Sequence, residues 1–360
     1  MLINEEIIER LVEEYGTPLY VFDSEQFIEN YQDLLSTFRR VYPKYQIGYS
    51  YKTNYVPRVC KIVKDLGGYA EVVSDMEYTL AKRLGYEDSK IIYNGPVKGP
   101  SLESLLLNGG VSNIDNVEEA KRTVALAKAN PDKRICVGVR VNLDLGLGRI
   151  SRFGIDGGNG TLNEVFEILQ SVENLGVSGI HCHVSRARTL KAWQDRVREM
   201  LAIVERHFNE PPLFINLGSG MFGQMEDSFA AQFNTQIPSY QEYAEVALAP
   251  ISQHFSMYKD NEKPWVYTEP GTTLVARYLS FLSKVQAKKT IRGREVAILD
   301  GSFYNLGKVS TQKNLPIAVI GHGQEYHQEI DLTGYTCLEE DVMYRGYKGH
   351  LSSGDIAPPG

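Results

Sequence analysis

The feature that most limits how this chain can fold is a recurring unit: a short strand-like run, then a helix-length segment, then another strand. Tyr45–Tyr51, Tyr69–Val73, Lys90–Tyr93, Ser112–Ile114, Ile135–Val141, Ser178–Val184, Leu213–Leu217 and Trp265–Thr268 all read as strands. The segments between them include helices near Pro57–Leu66, Asp75–Leu84 and Val117–Lys128. Eight strands with intervening helices over about 250 residues predict a (β/α)8 barrel. The competing architecture is a doubly wound open sheet. No glycine-rich fingerprint follows the first strand, so the barrel is preferred.

Two segments lie outside this repeat. Residues 5–15 have the apolar spacing of a helix, stopped by Gly16-Thr17-Pro18, and Leu19-Tyr20-Val21-Phe22 reads as a short strand. After about Ala276 the pattern turns strand-like, at 278–288, 294–300, 316–320 and 332–336. This part reads as an antiparallel β domain. The expected division is a barrel over 21–275, with 1–20 and 276–360 forming the β domain. One more strand is expected after Gly354-Asp355-Ile356, so that domain reads as truncated at its C-terminal end.

Composition narrows the partners. Of 360 residues, 42% are hydrophobic and 23% charged, as in ordinary soluble globular proteins. A net charge of −7 and a pI near 5.6 argue against nucleic acid or a polybasic membrane contact. Cys60, Cys136, Cys182 and Cys337 form no CxxC pair, so neither a metal site nor a disulfide framework is expected. Reduced thiols, an acidic N-terminus without a signal core and the lack of a bilayer-length apolar run fit a cytoplasmic protein.

In a barrel, chemistry sits where the strands end. The polar residues there are Lys52, Glu71, Asn94, Asp115, Arg140, His183, Asn216 and Glu269. A wet rim alone accounts for Asn94 and Asp115. It accounts less well for Lys52, His183 and Glu269 together. A lysine amine can form a Schiff base with a carbonyl when part of it is unprotonated. Gly218-Ser219-Gly220 follows the seventh strand, and glycines let backbone N–H groups approach an anion. Glu269 ends the eighth strand, and a buried carboxylate needs a partner, such as a pyridinium N–H. The His183 ring offers a flat face. A lysine, an anion cradle, a flat ring and a carboxylate together describe a pyridoxal phosphate pocket.

Several ordered motifs then resemble the ornithine/diaminopimelate/arginine decarboxylase family, the fold-type III pyridoxal phosphate enzymes. Tyr49-Ser50-Tyr51-Lys52-Thr53-Asn54 resembles its Y-[AS]-x-K-[AT]-N segment, which makes Lys52 the Schiff-base lysine. Glu71-Val72-Val73-Ser74-Asp75-Met76-Glu77 resembles D-V-A-S-x-G-E, and Ser151-Arg152-Phe153-Gly154 resembles S-[KR]-F-G. His181-Cys182-His183-Val184 resembles H-x-H-[VI]-G-S and gives His183 the ring-stacking role. Gly218-Ser219-Gly220 resembles the phosphate loop, and Glu269-Pro270-Gly271 the E-P-G-R motif. Cys337-Leu338-Glu339-Glu340-Asp341 resembles C-[DE]-x-x-D, a segment that in the family reaches the neighbouring subunit's active site. The resemblance thus implies a homodimer, with Cys337, Glu339 and Asp341 near substrate and Cys337 as general acid. Arg140 is expected to orient Glu71 or the ring edge, or else to form a structural ion pair.

There are departures. Ser185-Arg186 replaces the family's G-S, and Thr272 replaces the arginine after E-P-G. Both family positions touch the phosphate, so Arg186 is expected to supply the missing cation. Leu338 stands where the family has an acid that holds a distal amine, which points away from lysine, ornithine or diaminopimelate and towards a modified or carrier-linked amino acid. The family's terminal G-A-Y tyrosine is absent from the sequence. The reading is therefore a pyridoxal-phosphate-dependent amino-acid decarboxylase. A racemase on the same barrel is the first alternative, disfavoured because racemases place an arginine where Glu269 stands. A non-catalytic homologue with a binding role is the second.

Overall fold

The computed structural model describes residues 4–146, 148, 150–307, 310, 312–321 and 329–357. Fifteen strands are present among them. They are β1 (Leu19–Phe22), β2 (Tyr45–Ser50), β3 (Tyr69–Val72), β4 (Ile91–Tyr93), β5 (Val111–Ile114), β6 (Ile135–Asn142), β7 (Ile155–Asp156), β8 (Leu175–His181), β9 (Phe214–Asn216), β10 (Trp265–Thr268), β11 (Leu279–Ile291), β12 (Arg294–Leu299), β13 (Ile330–Thr333), β14 (Val342–Tyr347) and β15 (Ile356–Ala357).

Eight of these close a ring in the order β5-β4-β3-β2-β10-β9-β8-β6, with β5 pairing back to β6. Every pairing in the ring is parallel. The sheet is thus the closed barrel that the alternation predicts, with β7 added alongside β6. Parallel strands are covered on both faces, and β2 accordingly buries all six of its residues. Inside the ring, small residues make room for large ones. A Cβ on Gly138 would meet Asn113 Oδ1 at 2.0 Å and the Phe214 ring at 2.7 Å. That position must stay bare for the Asn113 amide to enter the barrel.

Helix caps hold two of the strand-to-helix turns at the functional rim. Ser74 accepts from the Glu77 N–H, and Glu77 Oε2 accepts in return from the Val73 N–H at 2.7 Å. Asn116 caps the helix Val117–Ala129 through the Glu119 N–H, and Glu119 reaches back to the Asp115 N–H and to buried Lys98. Both turns follow the capping-box logic of a polar residue with Glu three positions later.

Chain contacts divide the protein into two units, 28–222 with 237–274, and 1–27 with 223–236 and 275–360. Residues 223–236, read from sequence as barrel, group with the second unit. Gln232 explains this, since it donates to the Asn314 carbonyl at 2.7 Å and accepts from the Asn314 N–H at 2.9 Å. The second unit carries a mixed sheet, β1-β11-β12-β13-β14, with β15 on β11. Among the described residues only the β12–β13 pair of this sheet is parallel. Its core is Phe281, Val285, Leu299, Ile330, Leu332 and Met343 with smaller neighbours.

Two of the expected strands sit differently. Residues 316–320 form no strand; Ile320 makes one isolated bridge, to Ile356. The expected strand over 332–336 lies earlier, at 330–333, because the chain turns at Gly334, where a Cβ would collide with the Asp341 carboxylate at 2.2 Å.

Candidate active site

At the C-terminal end of the barrel the strand register sets side chains from neighbouring strands beside one another. Ser50 pairs with Glu71 across β2 and β3, and His181 with Asn216 across β8 and β9. Glu71, Asn94, Asn113, His181, Asn216 and Glu269 are each at most 2% exposed. Two carboxylates buried this deeply need close partners, or the cost would be several kcal/mol per ion.

Asn94 supplies the central link. Its Nδ2 donates to Glu71 Oε1 at 2.9 Å and to Glu269 Oε1 at 2.7 Å, while its Oδ1 accepts from Asn113 Nδ2 at 2.8 Å. A wet rim does not account for Asn94, which ties the two acids together. Asn216 Nδ2 adds a second donor to Glu269 Oε1 at 2.7 Å, and His181 Nε2 lies 3.1 Å from Oε2. Burial works to raise the Glu269 pKa, but the adjacent His181, its hydrogen bond and Lys52 outweigh it and hold the carboxyl below the ordinary glutamate range. Glu71 takes Ser50 Oγ at 2.6 Å and Lys52 Nζ at 2.9 and 3.1 Å.

The Lys52 side chain is 41% exposed, whereas Glu71 is fully enclosed, so the amine is the part of this network open to the cavity. Burial pulls its pKa down, but Glu71 and Glu269 pull harder in the other direction, so the net shift is upward. At rest Lys52 is a held ammonium.

His183 lies beyond β8, not within it, because the strand stops at His181. The Ser219 N–H donates to His183 Nδ1 at 3.1 Å, which leaves the ring proton on Nε2. Burial, helped by Lys52, drives its pKa well below the usual histidine value. His183 therefore offers a neutral ring.

Arg140 departs from the first expectation. Its guanidinium pairs with Asp115 at 3.3 Å and lies 4.8 Å from the Phe153 ring; no hydrogen bond to Glu71 is present among the described residues. The structural ion pair is what forms. Asp115 also accepts from the Gly154 N–H, so the pair braces the Ser151–Gly154 segment.

A cavity of about 220 Å³ is lined by Lys52, Glu269, His183, Ser219, Gly220 and Met221, among others. Gly218 has φ 62°, and a Cβ there would meet the Cys182 carbonyl at 2.6 Å. Only glycine fits that turn. Arg186, with φ 67°, Arg188 and Thr272 also line the cavity. No motif in the sequence marks Arg188. A larger hollow along Gln32, Leu35 and Arg39 has no carboxylate, histidine or glycine loop to give it chemistry.

Of the remaining expected residues, Cys337 and Glu339 are exposed on a turn of the second unit. Asp341 is buried and accepts from Ser302 Oγ, the Phe303 N–H, and both the N–H and Oγ1 of Thr336. Its oxygens are occupied in holding that turn. No helix among the described residues is long and apolar enough to cross a membrane.

Residues 28–276 match the pyridoxal-dependent decarboxylase family over its pyridoxal binding domain. The diaminopimelate decarboxylase of Methanocaldococcus jannaschii is 25% identical over 93% of this chain and 78% of its own. The L-glutamyl-[BtrI acyl-carrier protein] decarboxylase of Niallia circulans is 24% identical over 95% of this chain and 81% of its own. The crystal structure of the M. jannaschii diaminopimelate decarboxylase in complex with L-lysine superposes with a TM-score of 0.81 at 23% identity, covering 97% of this chain and 82% of that one. The residues present suit pyridoxal phosphate. The cavity lining brings together an ionised carboxylate, an amine, residues of a glycine turn and two arginines.

Proposed function

Because the chain belongs to the pyridoxal-dependent decarboxylase family, we propose that it releases the α-carboxylate of a free or conjugated amino acid as carbon dioxide at the barrel rim around Lys52 and Glu269. Its cofactor is pyridoxal 5'-phosphate. The observation that carries this reading is Glu269, kept ionised inside the barrel by two amide donors and His181.

When bound, the cofactor supplies a protonated ring that takes up the electron pair left behind as carbon dioxide departs. Glu269 would hold the proton on the ring nitrogen, which would deepen that sink. Lys52 Nζ would hold the cofactor through its aldehyde carbon. Before it can do so it must lose a proton, and Glu71, the nearest acceptor at 2.9 Å, is placed to receive it. The neutral His183 ring supports one face. Ser219, Gly220 and Arg186 serve the phosphate.

Cys337 is assigned the proton delivery to Cα, across the interface of a cytoplasmic homodimer. A positioned acid of this kind is worth about 10²–10⁴ in rate. Glu339 is assigned to the substrate side chain. Asp341 joins that assignment indirectly, by anchoring the turn. Leu338, 42% exposed, gives a distal ammonium no counter-charge, which favours a substrate whose side chain is neutral or masked.

The test is carbon dioxide release by the holoenzyme from a panel of free and carrier-linked amino acids. The expected result is release from at least one, abolished in Lys52→Ala. Exchange of the α-proton without carbon dioxide from any substrate would replace this reading with a racemase.

A further inference from the structure

Arg196, on the helix Leu190–His207, is completely buried. Its Nη1 donates to the carbonyls of Leu217 and Ser219 at 2.7 and 2.8 Å, and its Nη2 to that of Ala187 at 3.3 Å. One turn earlier, Trp193, also wholly buried, donates Nε1 to the Gly220 carbonyl at 3.2 Å. The guanidinium lies 4.6 Å from the Trp193 ring. Thr273 Oγ1 draws in the next carbonyl, that of Met221, at 3.0 Å.

These contacts fix the direction of the loop's amides. In a trans peptide, the C=O and the following N–H point in opposite directions. Holding the Ser219 and Gly220 carbonyls inward turns the N–H groups of Gly220 and Met221 the other way. Both residues line the cavity, and neither N–H donates to a protein group among the described residues. A side chain at position 220 would crowd this arrangement, with its Cβ 3.3 Å from the Ala187 carbonyl and 3.5 Å from Arg196 Nη2.

The charge is equally one-sided. Burial lowers the Arg196 pKa, and the nearby Cys182 and Tyr243 act in the other direction. No carboxylate pairs with it among the described residues. A guanidinium buried without an acid is costly, and neutral carbonyls and one aromatic face offset only part of that.

We infer that Arg196 is a positioning residue for the Gly218–Met221 loop: it turns the Gly220 and Met221 amides towards the ligand, and a bound phosphate supplies the counter-charge that the fold withholds. The inference rests on the pyridoxal phosphate reading. It separates two roles, since Lys52 bonds the aldehyde whether or not a phosphate is present, whereas Arg196 acts on the phosphate alone.

The test is to titrate the full-length parent and Arg196→Gln with pyridoxal 5'-phosphate and, separately, with pyridoxal, following the visible absorption band. The expected result is that Arg196→Gln binds pyridoxal like the parent but loses about tenfold or more in affinity for the phosphorylated form, in keeping with the strength of charge-assisted hydrogen bonds. Should Arg196→Gln not fold, Arg196→Lys decides, because it keeps the charge but cannot hold all three carbonyls; its preference for the phosphorylated form must fall below the parent's. An unchanged preference in the folded variant, or an equal loss for both ligands, overturns the inference. A parent that gives no band with either ligand would instead count against the cofactor reading itself.

Discussion

Two clusters at the barrel rim solve opposite electrostatic problems in different ways. Around Glu71 and Glu269, negative charge is buried and then closely satisfied by the Asn94 and Asn216 amides, Ser50, His181 and Lys52. Around Gly218–Met221, positive charge is present on Arg186, Arg188 and Arg196, and no acid pairs with it among the described residues. A rim that served stability alone would neutralise both clusters. On the proposed reading, the contrast suits a ligand with a cationic ring nitrogen and an anionic phosphate.

The largest disturbance to this contrast is removal of the amine. Lys52→Ala should give no visible band with pyridoxal phosphate and no turnover, as read by absorbance and carbon dioxide release. Next comes Glu269→Gln, which keeps a group of the same size but discards the charge. The band should persist while kcat falls by on the order of 10²–10³, the range for losing one preorganised electrostatic partner. A smaller effect, on stability, is expected from Asn94→Ala. It strips one donor from each of two buried carboxylates, and about 3 kcal/mol should be lost in urea unfolding, since hydrogen bonds to charged groups contribute roughly 1.5–3 kcal/mol each.

Much of this could be read from the chain itself, because strand ends in a barrel are places as well as positions. Lys52, Glu71 and Glu269 fall where the strand pattern puts them, whereas His183 lies two residues past the end of its strand. The connections between them do not show in sequence. Asn94 reads as one more polar residue until its two carboxylate partners are seen. Asn113 gives no signal, because it enters the barrel only where Gly138 leaves space. Arg196 looks like the solvated face of an amphipathic helix, and nothing local reveals that it turns inward to the loop carbonyls. The β unit is harder to read, because its sheet joins β1 to β11 and β12 to β13 across long stretches of chain, whereas β11–β12 is a local hairpin. Val342–Tyr347 forms a strand despite an arginine and a glycine in its middle, since β13 supplies its partner.

Two pH effects refine the comparison further. The Lys52 pKa is raised in the fold, so cofactor capture, which needs the unprotonated amine, should accelerate as pH rises. In Glu71→Gln the main upward pull is gone and burial still acts, so the rate profile should shift to lower pH in stopped-flow absorbance. Glu269 has the opposite sign. Its pKa is depressed on folding, so its stabilising contribution is complete above the unfolded value of about 4.3 and is lost as pH falls below it. Acid unfolding curves of Glu269→Gln should therefore be flatter there than those of the parent.

A crystal structure of the holoenzyme would bear most directly on the polarity of this cavity. The account requires the phosphate on the backbone amides of Gly220 and Met221, the ring nitrogen within hydrogen-bond distance of Glu269, and a covalent link at Lys52 Nζ. A cofactor lying the other way round, or a ring nitrogen facing anything but Glu269, would contradict it.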